Sequence, residues 1–571
     1  MLYKIFQTVD QSALRFPKKE AFRFRNESIS YADLASWTNQ LAHALLKSGV
    51  QSGDRVGIYL NKSLECAVAI HGIMKAGAAY VPLDPLAPLD RIAGIIQDCA
   101  ITHLVTHDAK RRQVARLMNL KTGLSCIIGL SEEASEDVLR AIGKPVNKHP
   151  TNGQLVNSQN ANSQDAGKDR NDWSVLSWAD VAAESTTLPE VAIMEQDLAY
   201  IIYTSGSTGT PKGIMHTHAS GLAYARMAAA LYELVPEDRL SNFPPLHFDQ
   251  STFDYFSGPL VGATTVIIPE EHTKLPASLS QLIEDERLTI WYSVPFALIQ
   301  LLLRGVLQER DLSSLRWIIY GGEPFPVKHL KAIQNLLPQV RISNNFGPAE
   351  TNQCAYYTLP VLTSSGSTDE ATTDEGGETI SIGHICPNMS AMIVDEDDHS
   401  VAVGEAGELL VRTPTMMQGY WNRPERNARA FYQREVQGGL VERYYRTGDL
   451  VRIGVDGLLY FLGRKDRQIK SRGYRIELDE IEAALLTHPG VEECAVFPVP
   501  DAEGNNLIRA VAILKPEIEA NSGVLLKHLG QRLPAYAVPV SLDVVDAFPR
   551  TTSNKIDRRA LQRAAMEERT A

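Results

Sequence analysis

A chain of 571 residues, 44% hydrophobic and 22% charged, is too long for one compact core, so at least two domains of an ordinary soluble protein are expected. Its formal net charge of −12 argues against a nucleic-acid binder and requires any cation that meets an anionic ligand to be placed locally. Six scattered cysteines (Cys66, Cys99, Cys126, Cys354, Cys386 and Cys494) form no Cys-x-x-Cys pair, which speaks for a reducing compartment and against structural zinc.

The first ten residues meet charge too early for a secretory core, and no apolar run reaches membrane-spanning length, so a cytoplasmic location is the expectation. Residues 55–60 read as a strand, 64–76 carry helical spacing, and 102–106 read as a second strand. Residues 144–172 are rich in Asn, Gln, Ser and Gly and are predicted to be a mobile loop. Residues 200–213 run Tyr-Ile-Ile-Tyr-Thr-Ser-Gly-Ser-Thr-Gly-Thr-Pro-Lys-Gly, an apolar strand followed by glycines and hydroxyls around Lys212. Backbone N–H groups and hydroxyls in such a loop can curl around phosphate oxygens. It differs from the common nucleotide P-loop, because Pro211 precedes the lysine and no Gly-Lys-Ser/Thr run leads into a helix.

Further strands are predicted at 264–268 and 317–320, the latter ending at Gly321-Gly322. Alternation of strands and helices implies parallel sheets with ligands at the carboxyl ends of strands. Residues 363–378 form a second polar, loop-like insertion, and a strand at 458–462 gives way to a charged run that marks a domain boundary. Asp249, in the segment from Phe248 to Phe256, has capping of a helix that starts at Ser251 as its structural reading.

Taken together, the loop at 200–213, Asn344-Asn-Phe-Gly-Pro-Ala-Glu-Thr351, Tyr445-Arg-Thr-Gly-Asp449, the segments 463–477 and 549–557, and 75–85 resemble, in order, the signatures of the adenylate-forming enzymes. Phe248-Asp249 is similar to the amino-acid adenylation domains of nonribosomal peptide synthesis. The resemblance implies an α/β fold: a large N-terminal domain of stacked α/β subdomains plus a small β-barrel (residues 1–465), then a small mobile α+β C-terminal domain (466–571) carrying the catalytic lysine. It implies ATP and Mg²⁺ as cofactors, formation of aminoacyl-AMP and pyrophosphate, and transfer to the phosphopantetheine thiol of a separate carrier protein. With no carrier motif after Lys555, that partner is expected in trans, with neither nucleic acid nor membrane involved. An acyl- or aryl-CoA synthetase is the alternative, and Asp249 discriminates between the two.

The same resemblance assigns roles residue by residue. Lys555, Glu350 and Lys212 are the catalytic candidates, with Lys555 between carboxylate and α-phosphate. Thr204, Ser205, Gly206, Ser207, Thr208, Gly209 and Lys212 would cradle the phosphates, and Glu350 and Thr208 would serve the metal. Gly322, Glu323, Pro324, Asn344, Asn345, Phe346, Gly347 and Thr351 would belong to the ATP site, with Asn344 and Gly322 at the adenine edge, Phe346 stacking on adenine and Phe461 a second aromatic beside the nucleotide; Asp449 would accept from the ribose hydroxyls and Arg464 would reach ribose or phosphate. Phe346 replaces the family's usual tyrosine, and Asn554 replaces the glycine before the lysine. The substrate pocket would comprise Asp249, Gln250, Phe253, Tyr292, Ile319, Gly321, Asn345, Gln353, Cys354 and Lys555, a set that favours a small or polar side chain and leaves a cyclic imino acid open. Asp466 would be the hinge, and the pantetheine tunnel would pass Gly473.

Overall fold

The helix Leu64–Lys75 is buried on almost every face, the mark of an element held between two layers. It touches the strands Ala79–Pro82 and Arg55–Ile58 on one side and Glu20–Phe24 on the other. Those strands belong to different sheets. The computed structural model describes residues 1–120, 122–142, 173–206, 210–360, 380–515, 518, 520–551 and 555–570. The two predicted loops, 144–172 and 363–378, lie outside the described residues.

Among the described residues the first sheet has eight strands. Leu198–Thr204, Ala79–Pro82, Arg55–Ile58, His103–Val105, Cys126–Ile128 and Ser174–Leu176 run parallel, in that spatial order. Lys212–Thr217 folds back antiparallel on Leu198–Thr204, so the glycine-rich loop closes a hairpin instead of opening a helix. The second sheet has nine strands, with a parallel centre that includes Arg239–Asn242, Thr264–Ile267, Ile290–Ser293, Trp317–Gly321 and Arg341–Phe346. Apolar runs such as Trp317–Gly321, buried throughout, suit strands covered on both faces. The strands expected at 55–60, 102–106, 264–268 and 317–320 are all present within two residues of their predicted ends.

A third, five-stranded antiparallel sheet follows, built on the long strand Leu440–Ile453, with Leu459–Arg464 at its edge. Beyond it the chain forms the hairpin Gln468–Ser471 and Tyr474–Glu477. Then comes a three-stranded sheet, Val491–Pro500, Asn506–Leu514 and Ser541–Val544. The helices Leu478–Leu486 and Ser522–Gly530 close a separate apolar core with it. This is an α/β protein with a large multi-sheet N-terminal region and a small α+β end. Among the described residues no helix is long and apolar enough to cross a membrane.

Candidate active site

The parallel strands Trp317–Gly321 and Arg341–Phe346 end side by side, and their following turns supply Gly322, Glu323, Pro324 and Gly347 to one cavity of about 430 Å³. Asn344, Asn345 and Phe346 line it from the second strand. Phe346 and Phe461 stand 5.9 Å apart at 48°, leaving two aromatic faces beside one another. Asn344 fixes its amide by donating Nδ2–H to the Ser381 carbonyl at 2.9 Å. Gly322 has φ +95°, a turn only glycine makes without strain.

Asp449 lies on the long strand of the third sheet, buried, where it accepts from Arg464 Nη1 at 2.7 Å. Burial pushes its carboxyl up, against the pull of that guanidinium. Arg464 Nε and Nη2 also donate to Asp466 at 2.8 and 2.7 Å. One arginine therefore joins the ribose candidate to the hinge candidate, and all three residues line the cavity.

Of the phosphate loop, Thr204 and Ser205 line the cavity; Ser207, Thr208 and Gly209, with the metal role given to Thr208, lie outside the described residues. Gly206 sits against the Thr210 carbonyl with no room for a Cβ, and its amide points to Glu480. Lys212 is deeply buried at the start of its strand, 3.4 Å from Glu350 and 3.9 Å from Glu477, with Tyr420 under its ammonium. Burial and the nearby Arg475 push it down to about 8. Glu350 is fully buried: Oε1 accepts from Tyr420 Oη at 2.8 Å and Oε2 from Arg475 Nη1 at 2.8 Å. Burial alone would raise it, but Arg475 and Lys212 hold this carboxyl well below the usual carboxylate range. Thr351 is buried beside it; its hydroxyl donates to the Pro348 carbonyl and its own carbonyl accepts from Thr415, so it braces the loop. Among the described residues no cluster of three or more His, Cys, Asp or Glu side chains could hold a metal.

Asp249 lies just before a helical turn that starts at Ser251 and widens to a π-helix at Phe253–Ser257, a distortion common at functional sites. Its backbone carbonyl takes the capping contacts, from Thr252 N and Oγ1 at 3.0 and 2.6 Å, while the residue lines the cavity. Burial raises its carboxyl, with Lys470 and Arg475 acting against that rise. Gln250, Tyr292, Asn345 and Gln353 line the same space. Phe253, Ile319, Gly321 and Cys354 do not: they are buried one layer deeper, Phe253 packing edge-on to the Tyr292 ring at 5.4 Å. Asn345 Nδ2 donates to Tyr292 Oη at 2.9 Å, and Gln353 Nε2 to Tyr232 Oη at 3.2 Å. Tyr224, absent from the sequence reading, completes the wall.

Lys555 is exposed and lies outside the cavity lining, its amide held by Thr551 Oγ1 at 3.2 Å. The hairpin turn at Arg472-Gly473 takes its place at the cavity, with φ of 52° and 85°. Gly473 N donates to Glu323 Oε1 at 2.5 Å, and a Cβ on Gly473 would meet Val294 at 2.9 Å. Ser205 Oγ donates to the Arg475 carbonyl at 2.9 Å, and Arg91 pairs with Glu480. Lys470, half-buried, facing Asp449 and Asp249 and pushed down by burial and Arg475, was not singled out from sequence. Neither were Arg475, Glu477 or Tyr420. The first three sit inside the motif at 463–477, where alternating charge was the available signal; Tyr420 had none.

The AMP-binding enzyme family model matches residues 9–421, and the AMP-binding enzyme C-terminal domain model matches 480–555. An L-proline–[L-prolyl-carrier protein] ligase of Pseudomonas fluorescens is 34% identical over 97% of each chain. One of Streptomyces coelicolor is 32% identical over 94% of this chain and 92% of its own. The amide bond synthetase McbA from Marinactinospora thermotolerans superposes with a TM-score of 0.77 at 23% identity, covering 98% and 99% of the two chains. With the fold, the cavity at the strand ends and these matches in agreement, the chain belongs to the AMP-binding enzymes, as an ATP-dependent, AMP-forming ligase of the amino-acid adenylation branch.

Proposed function

We propose that this enzyme activates L-proline, or a closely similar small cyclic amino acid, as its adenylate and passes the acyl group to the phosphopantetheine thiol of a separate carrier protein. The observation that carries this reading is the half-buried carboxylate of Asp249, lining the cavity beside a floor of tyrosine rings, Tyr292 and Tyr224. Proline's secondary ammonium brings two N–H donors to that carboxylate, and its ring has no group that needs a polar partner. The Asn345 and Gln353 amides each donate one N–H to a tyrosine hydroxyl of the protein itself, while their carbonyl oxygens are buried with no partner among the described residues. The two relatives of matching length are ligases for L-proline by name, which supports the same substrate.

In the first step an amino-acid carboxylate oxygen attacks the α-phosphorus and pyrophosphate leaves. Lys212 and the glycine-rich loop hold the departing phosphates, and Lys555 is brought between the two anions by rotation of the C-terminal region about Asp466. Mg²⁺, which neutralises triphosphate charge when bound, would be held by Glu350 and phosphate oxygens; Glu350 has the right donor chemistry once Arg475 withdraws. The arrangement with Gly473, rather than Lys555, at the cavity suits the second step, in which the thiol sulfur attacks the acyl carbon and AMP departs. The test is ATP–pyrophosphate exchange with every proteinogenic amino acid, for the native enzyme, Asp249→Ala and Lys555→Ala. Proline-dependent exchange that falls by at least about 10²-fold in both variants is the expected result, from the loss of a half-buried charge partner or of a transition-state contact. Exchange with simple carboxylic acids but with no amino acid would overturn the reading.

A further inference from the structure

The cavity is also lined by His247, from the turn before Asp249, and by Asp84, from the loop after the strand Ala79–Pro82. Nothing in the chemistry above uses either. His247 Nε2 lies 3.7 Å from Asp84 Oδ2, and both atoms are buried with no hydrogen-bond partner among the described residues. Asp84 is itself fixed, its Oδ1 accepting from Leu86 N at 2.9 Å. The imidazole tilts against the Phe248 ring at 4.9 Å, which in turn meets Tyr474 of the Gly473 hairpin edge-on at 5.4 Å. The pair thus stands between the amino-acid end of the cavity, two residues away at Asp249, and the hairpin that borders it in this arrangement.

The second half-reaction needs a proton acceptor. An alkyl thiol with a pKa of about 8.5 is mostly protonated at neutral pH, and the thiolate is the nucleophile. The other acids of the cavity are engaged. Asp249 is assigned to the substrate ammonium, Asp449 and Asp466 are tied to Arg464, and Glu323 accepts from Gly473 N. Lys470 is a cation facing Asp249 and Asp449. We propose that His247 is the general base of thiol transfer, with Asp84 orienting its ring and fixing its tautomer. Asp84 Oδ2 faces Nε2 at 3.7 Å, so its charge favours the proton on that nitrogen and leaves the Nδ1 lone pair to take the thiol proton as sulfur bonds to the acyl carbon. The bond from that carbon to the phosphate oxygen breaks, AMP leaves as its anion, and the imidazolium returns the proton to water. Burial keeps the imidazole neutral: it lowers its proton affinity, Arg91 and Lys62 act in the same direction, and Asp84 and Glu270 act against it.

This inference rests on the carrier-loading reading, and pantetheine serves as the acceptor for its test. The native enzyme is loaded with ATP and amino acid, mixed with pantetheine in a single turnover, and followed from acid to alkaline pH, with pyrophosphate exchange measured on the same preparation. The native transfer rate is expected to be flat through neutral pH and to fall only below the ordinary imidazole range. His247→Gln is expected to lower the ratio of transfer to exchange by about 10²-fold, within the usual range for general-base catalysis. Its residual transfer should climb about tenfold per pH unit with the thiolate fraction. Asp84→Asn removes a charge that favours the imidazolium, so its acid limb should move to lower pH while transfer slows. A native profile that already climbs with thiolate through neutral pH overturns the proposal without any variant. So does an unchanged ratio in His247→Gln, or an unmoved acid limb in Asp84→Asn. Failure of amino-acid activation itself shows separately, as absent exchange in the native enzyme before any thiol is added.

Discussion

Gly473 offers the sharpest test of how the two ends of the chain cooperate. Its φ of 85° follows Arg472 at 52°, the two positive angles of a tight hairpin turn between the paired residues Ser471 and Tyr474. Gly473→Ala has two separable costs. An alanine in the left-handed region costs about 1–2 kcal/mol, and because the turn is local, that cost follows the hairpin wherever it goes. The new methyl would also stand 2.9 Å from both Val294 methyls, a contact that exists only while the hairpin sits at the cavity. Overpacking of this kind costs about 1–3 kcal/mol, or roughly 5- to 150-fold in the population of that arrangement. Thiol transfer should therefore slow by that factor while pyrophosphate exchange holds, and the urea midpoint should register only the turn strain. Adding Val294→Ala removes the opposing methyls and should restore transfer without restoring stability, giving a non-additive cycle. If exchange and transfer fall together in Gly473→Ala, or Val294→Ala gives no rescue, the seated hairpin is not the transferring arrangement.

Three other perturbations bear on the site. Glu350→Gln leaves Arg475 and Lys212 buried without their shared carboxylate and should cost about 3–5 kcal/mol of stability, read as a lowered urea midpoint; an unchanged midpoint would mean that the cluster is already hydrated. Lys212, pushed down to about 8, carries its charge below that pH and loses it above, so the KM for ATP should rise as pH passes upward through about 8. In Lys212→Arg that limb should disappear, since a guanidinium stays charged throughout; a limb unmoved by the substitution assigns it to another group. Tyr292→Ala removes the ring that separates the cavity from Phe253 and should shift the ratio of kcat/KM toward larger apolar amino acids by about tenfold or more, measured by exchange with leucine against proline. An unaltered ratio would place the selecting wall elsewhere.

The sheets were legible because the chain states them locally. Runs such as Trp317–Gly321 are apolar throughout, and the glycines and hydroxyls after Tyr203 could only be a loop. The residues assigned to the nucleotide were legible in part for the same reason, since Phe346 ends its strand and Asn344 lies two residues before it; Asp449 sits inside its strand and was legible only through the Tyr445–Asp449 motif. The depth of the amino-acid end was not. Phe253, Ile319 and Cys354 were assigned to its wall, but Phe253 and Ile319 pack behind the Tyr292 and Tyr224 rings and Cys354 belongs to a separate apolar cluster; side-chain volume across a fold has no local signature. Tyr420 reaches Glu350 across 70 residues of sequence, and Asp84 meets His247 from another sheet; neither partner leaves a pattern near the other. Lys470 and Arg475 were visible but read as part of a charged run. They pair directly across the hairpin, and it is the docking of that hairpin on the N-terminal sheets that turns them inward.

That docking also sets the logic of Glu350. Its two oxygens are taken by Tyr420 and Arg475, and Ser205 of the phosphate loop donates to the Arg475 carbonyl. While the hairpin is seated, a guanidinium fills the place where triphosphate charge has to be managed, and the loop is latched to the wrong partner for binding ATP. An enzyme fixed in this arrangement could discharge an adenylate but not make one. On the proposed mechanism, withdrawal of the hairpin would expose Glu350 and free Ser205 in one movement, the same movement that would carry Lys555 in from the surface. The cost of stripping Arg475 from a buried carboxylate is offset only when another cation replaces it, as Mg²⁺ carried in with ATP would, so on the proposed mechanism the arrival of metal-bound ATP and the departure of the hairpin would be coupled through one side chain. Arg475→Met, which removes the latch but keeps the bulk, should therefore tighten ATP binding while slowing transfer to pantetheine. Weaker ATP binding in that variant would show that Arg475 belongs to the nucleotide site in both arrangements.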